Sequence, residues 1–265
     1  MTRAARRPER RPRLRPAARR LVFALDVETA AEAMGLVDLL IDEVGLFKIG
    51  KQLFVGAGPD IVRRIRARGG GVFLDLKFHD IPQTVAAAAV AAARLGVGML
   101  TVHAAGGRGM LEHCMAQVKA ESRRLALPRP RVLAVTVLTS LAGDDLRGLG
   151  VVEDVERHVL RLARLARRSK VDGVIASPRE TARLRRTCGE RFLIVTPGVR
   201  LPGEGLDDQK RVMDPAAAIR AGADYLVVGR PIRDAPDPVA AARQIAAGIA
   251  LGLSARRERR RPPSG

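Results

Sequence analysis

The chain has no tryptophan, one tyrosine and six phenylalanines, so aromatic residues make up only 3% of it. Proteins that hold single-stranded nucleic acid stack the bases on aromatic platforms, and this sequence has almost none to offer. Cysteine is nearly absent as well, with Cys114 and Cys188 the only two. Neither has a neighbour at a metal-ligand spacing, and two thiols cannot build a disulfide framework, so a reducing cytoplasm is the compartment that fits. No run of 18 residues is free of charge, which argues against a membrane span and for a soluble globular protein. Lysine is scarce: it supplies six of the 47 basic residues, and arginine supplies the rest.

The charge that is present is strongly one-sided, +19 in 265 residues, but it is unevenly placed. Residues 1–20 carry nine arginines against Glu9, and residues 254–265 carry five against Glu258. Both ends are therefore expected to be disordered basic tails, poor in large apolar side chains and broken by proline. With the excess concentrated in solvated ends and no aromatic platform on the body, nucleic acid is not the expected partner. Three prolines, no serine and no apolar stretch in the first 20 residues also count against a targeting peptide.

From residue 21 onward, strand-like runs alternate eight times with longer amphipathic stretches. The strands are expected at 21–26, 46–50, 72–77, 98–103, 132–138, 172–176, 192–196 and 224–229. Helical spacing fills most of the gaps, as at 30–44, 59–68, 82–95, 152–167, 178–186 and 238–253, with Pro59, Pro82, Pro178, Pro215 and Pro238 near the starts. Eight β-α units of this size predict a single-domain (β/α)8 TIM barrel over residues 21–253, flanked by the tails 1–20 and 254–265. A doubly wound open sheet is the alternative, though no G-x-G-x-x-G follows the first strand. Polar residues collect at the C-terminal ends of the strands: Asp26, Lys48, Asp75, Lys77, His103, Thr139, Ser140, Ser177, Thr196 and Arg230. In a barrel those ends converge on the face that carries active sites.

The densest chemistry is Asp75-Leu-Lys-Phe-His-Asp-Ile-Pro-Gln-Thr84. In a strand, Asp75 and Lys77 share one face while Leu74, Leu76 and Phe78 take the other, which puts a charged pair on an inner surface. Burying such groups costs several kcal/mol unless they are paired, so a fold keeps them for chemistry or as part of a compensated network. Lys48, between Phe47 and Ile49, and Asp26 lie on the two preceding strands, close enough for acids and bases to alternate across the barrel. A buried lysine held among carboxylates can keep its proton and act as a general acid. Across the barrel, Thr196-Pro-Gly-Val-Arg200 and Val228-Gly-Arg-Pro231 offer backbone N–H groups and guanidinium forks suited to phosphate, with Gln209 in the intervening loop. His79 and His103 read as structural hydrogen-bonding groups near the site, or as functional ones.

These segments together resemble orotidine 5′-phosphate decarboxylase over about residues 21–250, in the bacterial branch whose DLKFHDIPxT signature stands here as Asp75 to Thr84. Ala24-Leu-Asp26, Lys48-Ile-Gly-Lys51, Val102-His-Ala104, Val135 to Ser140 and Asp208-Gln-Lys-Arg211 carry the likeness further; Gln83 departs from the asparagine frequent at its position. The resemblance implies decarboxylation of orotidine 5′-phosphate to UMP, the last step of de novo pyrimidine biosynthesis, with no metal and no cofactor. It implies Lys77 as proton donor to C6 and Asp75 against the substrate carboxylate. It also implies that Lys48 and Asp80 would complete the charge network, with Asp80 supplied by the partner subunit of a homodimer with shared active sites. Asp26 and Lys48 would hold the ribose, Ile81 and Thr84 would line the partner's contribution, and Thr139 and Ser140 would meet the pyrimidine edge. Arg200, Gln209, Gly229 and Arg230 would grip the phosphate. Related sugar-phosphate enzymes that share Asp-x-Lys-x-x-Asp resemble one another in placing a magnesium-binding acid near the end of strand two, where this chain has Lys48.

Overall fold

Strands that are apolar on both faces bury themselves only when covered on both sides, and eight such strands do so here by closing into a ring. In the computed structural model, which describes residues 14–198 and 213–258, the strands are β1 (Leu21–Ala24), β2 (Leu46–Ile49), β3 (Val72–Phe78), β4 (Met99–His103), β5 (Arg131–Val135), β6 (Gly173–Ile175), β7 (Leu193–Pro197) and β8 (Tyr225–Val228). They pair in parallel in chain order, and β8 returns to β1 with Leu21 opposite Leu226 and Phe23 opposite Val228. The closed ring rules out the open sheet. Around it run α1 (Ala30–Leu40), α2 (Lys51–Ala57), α3 (Asp60–Ala67), α4 (Pro82–Arg94), α5 (Gly107–Arg124), α6 (Gly143–Gly148), α7 (Val155–Arg168), α8 (Thr181–Cys188), α9 (Pro215–Ala221), α10 (Arg230–Arg233) and α11 (Pro238–Glu258).

The pleat sorts the side chains. Val22, Ala24, Phe73, Met99, Leu133, Val195 and Val227 form one buried cluster inside the ring. Their strand neighbours, such as Leu21, Phe23, Phe47, Leu74, Leu100 and Val228, form the larger core between ring and helices. Helix starts follow their capping residues: Thr29 accepts the Glu32 N–H, Asp154 that of Arg157 and Asp214 that of Ala217, at 2.8 to 3.1 Å. Pro82 and Pro215 occupy first-turn positions where no N–H is needed.

At the end of the ring where the strands begin, carboxylates tie neighbouring strands together. Asp172 accepts the Val132 N–H at 2.8 Å and a two-pronged contact from Arg129 at 2.7 Å. Asp224 accepts the Ile194 N–H at 3.0 Å and pairs with buried Arg185 at 2.5 Å. Arg20 and Arg256 also approach Asp224, at 3.8 and 3.6 Å. The folded body therefore reaches past both expected limits, residues 21 and 253. Ala17 and Ala18 are buried, and α11 continues to Glu258. Among the described residues, α11 is the one helix long and apolar enough to cross a membrane, yet Ala241, Ala242, Ile245 and Ile249 on it are buried within the protein. The outer parts of the predicted tails, residues 1–13 and 259–265, lie outside the described residues.

Candidate active site

The charged residues collect at the opposite end of the ring, where the strands finish. Asp26, just past β1, accepts a hydrogen bond from Lys48 Nζ at 3.0 Å. The same ammonium lies 4.0 Å from Asp75 Oδ2 on β3, and Lys77 Nζ donates to that oxygen at 2.7 Å. Acid, base, acid and base thus alternate across three adjacent strands, two positive charges against two negative ones. The Lys48 and Asp75 side chains are each only 12% exposed. Charges this deep are tolerable because each has an opposite neighbour.

Asp75 and Lys77 meet by a route that strict two-residue alternation does not describe. Leu74 of β3 pairs with Leu100 of β4, but the next pair is Phe78 with Val102, so four steps along β3 match two along β4. The surplus is taken up as a bulge, within which Lys77 adopts a left-handed backbone with φ of +54°. For a lysine that conformation costs about 1–2 kcal/mol, so something must hold it. Thr101, fully buried between Leu100 and Val102, does so: its Oγ1 accepts the Lys77 backbone N–H and donates to Asp75 Oδ1, both at 2.9 Å. Thr101 is the residue of this charged floor that the motifs do not reveal. The signal was present, since Thr101 has the same strand parity as His103 and so faces inward.

A cavity of about 150 Å³ opens above this floor, lined by Lys48, Phe73, Asp75, Lys77 and Thr139 with an apolar wall from Val135, Ile175 and Val227. Ser140 is exposed beside it and is not part of its lining. At the end of β8, next to β1, Gly229 lies beside Asp26: a Cβ there would be 3.5 Å from Oδ2, an ordinary contact distance. Arg230 follows as the first residue of α10, half-buried. Arg200 and Gln209 lie outside the described residues. Asp80, Ile81 and Thr84 stand apart from the floor. All three are exposed, Ile81 by 66%, and Asp80 accepts the Ile81 N–H at 2.6 Å without an ion pair among the described residues. Gln83 bonds across to His113 of α5 at 3.0 Å.

His103 and His79 stack, with ring centroids 5.2 Å apart. Burial lowers the His103 pKa to about 4, and the nearby His79, Lys77 and Lys51 push in the same direction against Asp75. No His, Cys, Asp or Glu cluster suited to a metal ion occurs among the described residues. A wider cleft of about 540 Å³ at the other end of the ring is lined by arginines around Asp224, where the strands begin rather than end.

A sequence profile described as Orotidine 5′-phosphate decarboxylase / HUMPS family matches residues 19–245. The orotidine 5′-phosphate decarboxylase of Moorella thermoacetica is 55% identical over 233 residues, 88% of this chain and 92% of that protein. The enzyme of the same name from Geobacter sulfurreducens is 52% identical over 233 residues, 88% of this chain and 97% of its own. The crystal structure of orotidine 5′-phosphate decarboxylase from Lactobacillus acidophilus superposes with a TM-score of 0.78 at 37% identity, covering 86% of this chain and 98% of that one.

Two predictions come from this geometry. Thr101→Val strands the Lys77 N–H and one Asp75 oxygen and is expected to cost about 1–3 kcal/mol in urea unfolding, while Thr101→Ser stays within about 1 kcal/mol of the parent. His103, with a folded pKa of about 4 against an ordinary 6.5, takes up its proton more readily in the unfolded chain. Stability should therefore be fully present above pH 6.5 and fall toward pH 4, by on the order of 2 kcal/mol for a half-buried ring; His103→Gln should flatten that part of a stability–pH curve.

Proposed function

The chain belongs to the orotidine 5′-phosphate decarboxylase / HUMPS family, and we infer from that membership and from its charged floor that it converts orotidine 5′-phosphate to UMP and CO2. The reaction is that of a carboxy-lyase in pyrimidine biosynthesis. The observation that carries its mechanism is the row Asp26, Lys48, Asp75, Lys77, with successive contacts of 3.0, 4.0 and 2.7 Å.

The pyrimidine lies in the small cavity against Val135, Ile175 and Val227, its edge toward Thr139 and Ser140 and its C6 toward Lys77. The substrate carboxylate faces Asp75. As the bond from C6 to the carboxylate breaks, CO2 leaves and the electron pair stays on C6. Lys77, already fixed beside the developing charge by Asp75 and by its bulge, stabilises that pair and then gives C6 a proton, becoming a neutral amine that solvent reprotonates. Because the ammonium is oriented before substrate arrives, little reorganisation is needed at the moment of reaction. Asp26 and Lys48 hold the ribose hydroxyls, and Gly229 and Arg230, joined by Arg200 and Gln209, bind the phosphate. That remote contact fixes the ring over the floor and contributes to lowering the barrier. An ammonium already fills the space between Asp26 and Asp75, which favours a site that works without a divalent cation.

Asp80, Ile81 and Thr84 belong to the neighbour's site in a homodimer. Their exposure in one chain, with a large apolar Ile81 turned outward beside a carboxylate that has no ion pair among the described residues, supports this reading. Two copies would then share two active sites in a cytoplasmic enzyme.

Incubation with orotidine 5′-phosphate and EDTA should consume the substrate's ultraviolet absorbance at an undiminished rate; a reaction that needs added magnesium would refute the metal-free reading. Lys77→Ala should lower kcat by at least about 10⁴-fold with an unchanged circular dichroism spectrum. Mixed Lys77→Ala and Asp80→Ala subunits, each inactive alone, should regain activity after exchange, because one site of the hybrid has both native residues.

A further inference from the structure

The mechanism leaves one ordered feature unused, the stacked imidazoles of His79 and His103. Asp80 itself has little to hold it. It stands two residues past the end of β3, is exposed, and among the described residues its carboxylate bonds only to the next backbone N–H. The residue immediately before it, His79, is exposed as well but has a ring contact. The His79 ring lies over His103 at 5.2 Å with 30° between planes. It also lies against the turn at Ala104–Gly106: a Cβ on Gly106 would be 3.3 Å from His79 Cδ2 and would collide with Met110 Sδ. The bare Gly106 lets both side chains pack against this turn. His103 is a firm base because it ends β4, which pairs in register with β5 up to His103 and Val135.

We propose that the His79–His103 stack is a clamp that aims Asp80, so that the two histidines are positioning residues for the carboxylate one subunit lends to its partner's site. The clamp rests on the shared-site reading above. The half-buried His103 is neutral at working pH, a state that nearby Lys77 and Lys51 favour and Asp75 opposes, so it can take a second imidazole on its face without two like charges meeting. The consequence is directional. Loss of His79 in one subunit should damage the active site of the other, while its own barrel floor stays intact.

Hybrid dimers of differently tagged subunits test this. In the first, one subunit carries Lys77→Ala and the other His79→Ala; the working site then has a native Lys77 and receives Asp80 from a subunit with native His79, and kcat per working site should match the parent. In the second, Lys77→Ala and His79→Ala are on the same subunit beside a parental one; the working site now receives Asp80 from the subunit without the clamp, and its kcat should fall about 10- to 100-fold, the scale expected for a catalytic group displaced by about 1 Å. His79→Phe, which keeps a flat ring, should restore most of the loss in the second arrangement. Equal rates in the two hybrids, or no rescue by phenylalanine, would overturn the clamp. The Lys77→Ala with Asp80→Ala hybrid is the control: if it is active the shared site stands whatever the histidines do, and if it is inactive after confirmed exchange, shared site and clamp fall together.

Discussion

The contact between Lys77 and Asp75 is the constraint around which the rest is arranged. An ammonium and a carboxylate 2.7 Å apart at the rim of an apolar ring are costly to bury singly, and removing Lys77 leaves Asp75 with only the more distant Lys48 at 4.0 Å. Lys48 and Asp26 extend the pair into a neutral row of four. What burial requires, opposite charges held close and fixed, is also what a carbanion-forming reaction requires, a positive group in place before charge develops. In the proposed mechanism, electrostatic stability and catalytic readiness are met by one arrangement.

That arrangement needs a distorted strand. A straight β3 would keep its ladder with β4 and would leave no reason for Lys77 to turn left-handed. The bulge gives up regular pairing between Leu74 and Phe78, and the Thr101 hydroxyl takes over the backbone N–H so released. One side chain therefore satisfies the strained backbone and orients the carboxylate. The opposite end of the ring is built differently. There Asp172 and Asp224 accept backbone N–H groups of neighbouring strands and pair with Arg129 and Arg185, contacts that join elements. The barrel divides the two tasks between its ends, which leaves the C-terminal ends of the strands free to hold groups chosen for chemistry.

Much of this was legible in the chain. All eight strands fall where apolar runs were expected, because strands buried on both faces must be apolar throughout. α1, α3, α4, α7, α8 and α11 follow their apolar spacing, whereas α5 opens with Gly107 and Gly109 and carries charges along its length, which obscures the stripe of Met110, Leu111, Cys114 and Val118. Asp26, Lys48, Asp75 and Lys77 announce themselves as charges at the ends of apolar strands. Thr101 does not, since a threonine is at home in any strand. The limits of the folded body were also misplaced, because Arg20 and Arg256 look like tail residues until Asp224 is seen between them.

The sequence by itself determined the number of β-α units, the face on which polar groups gather and the family, since each follows from periodicity or from ordered local motifs. Only the tertiary structure decided how Lys77 reaches Asp75 and why Asp80 does not. The first depends on two extra residues in β3 relative to β4, a mismatch that exists only once the strands are paired. The second depends on where the chain turns away after His79, which leaves Asp80 exposed at the surface.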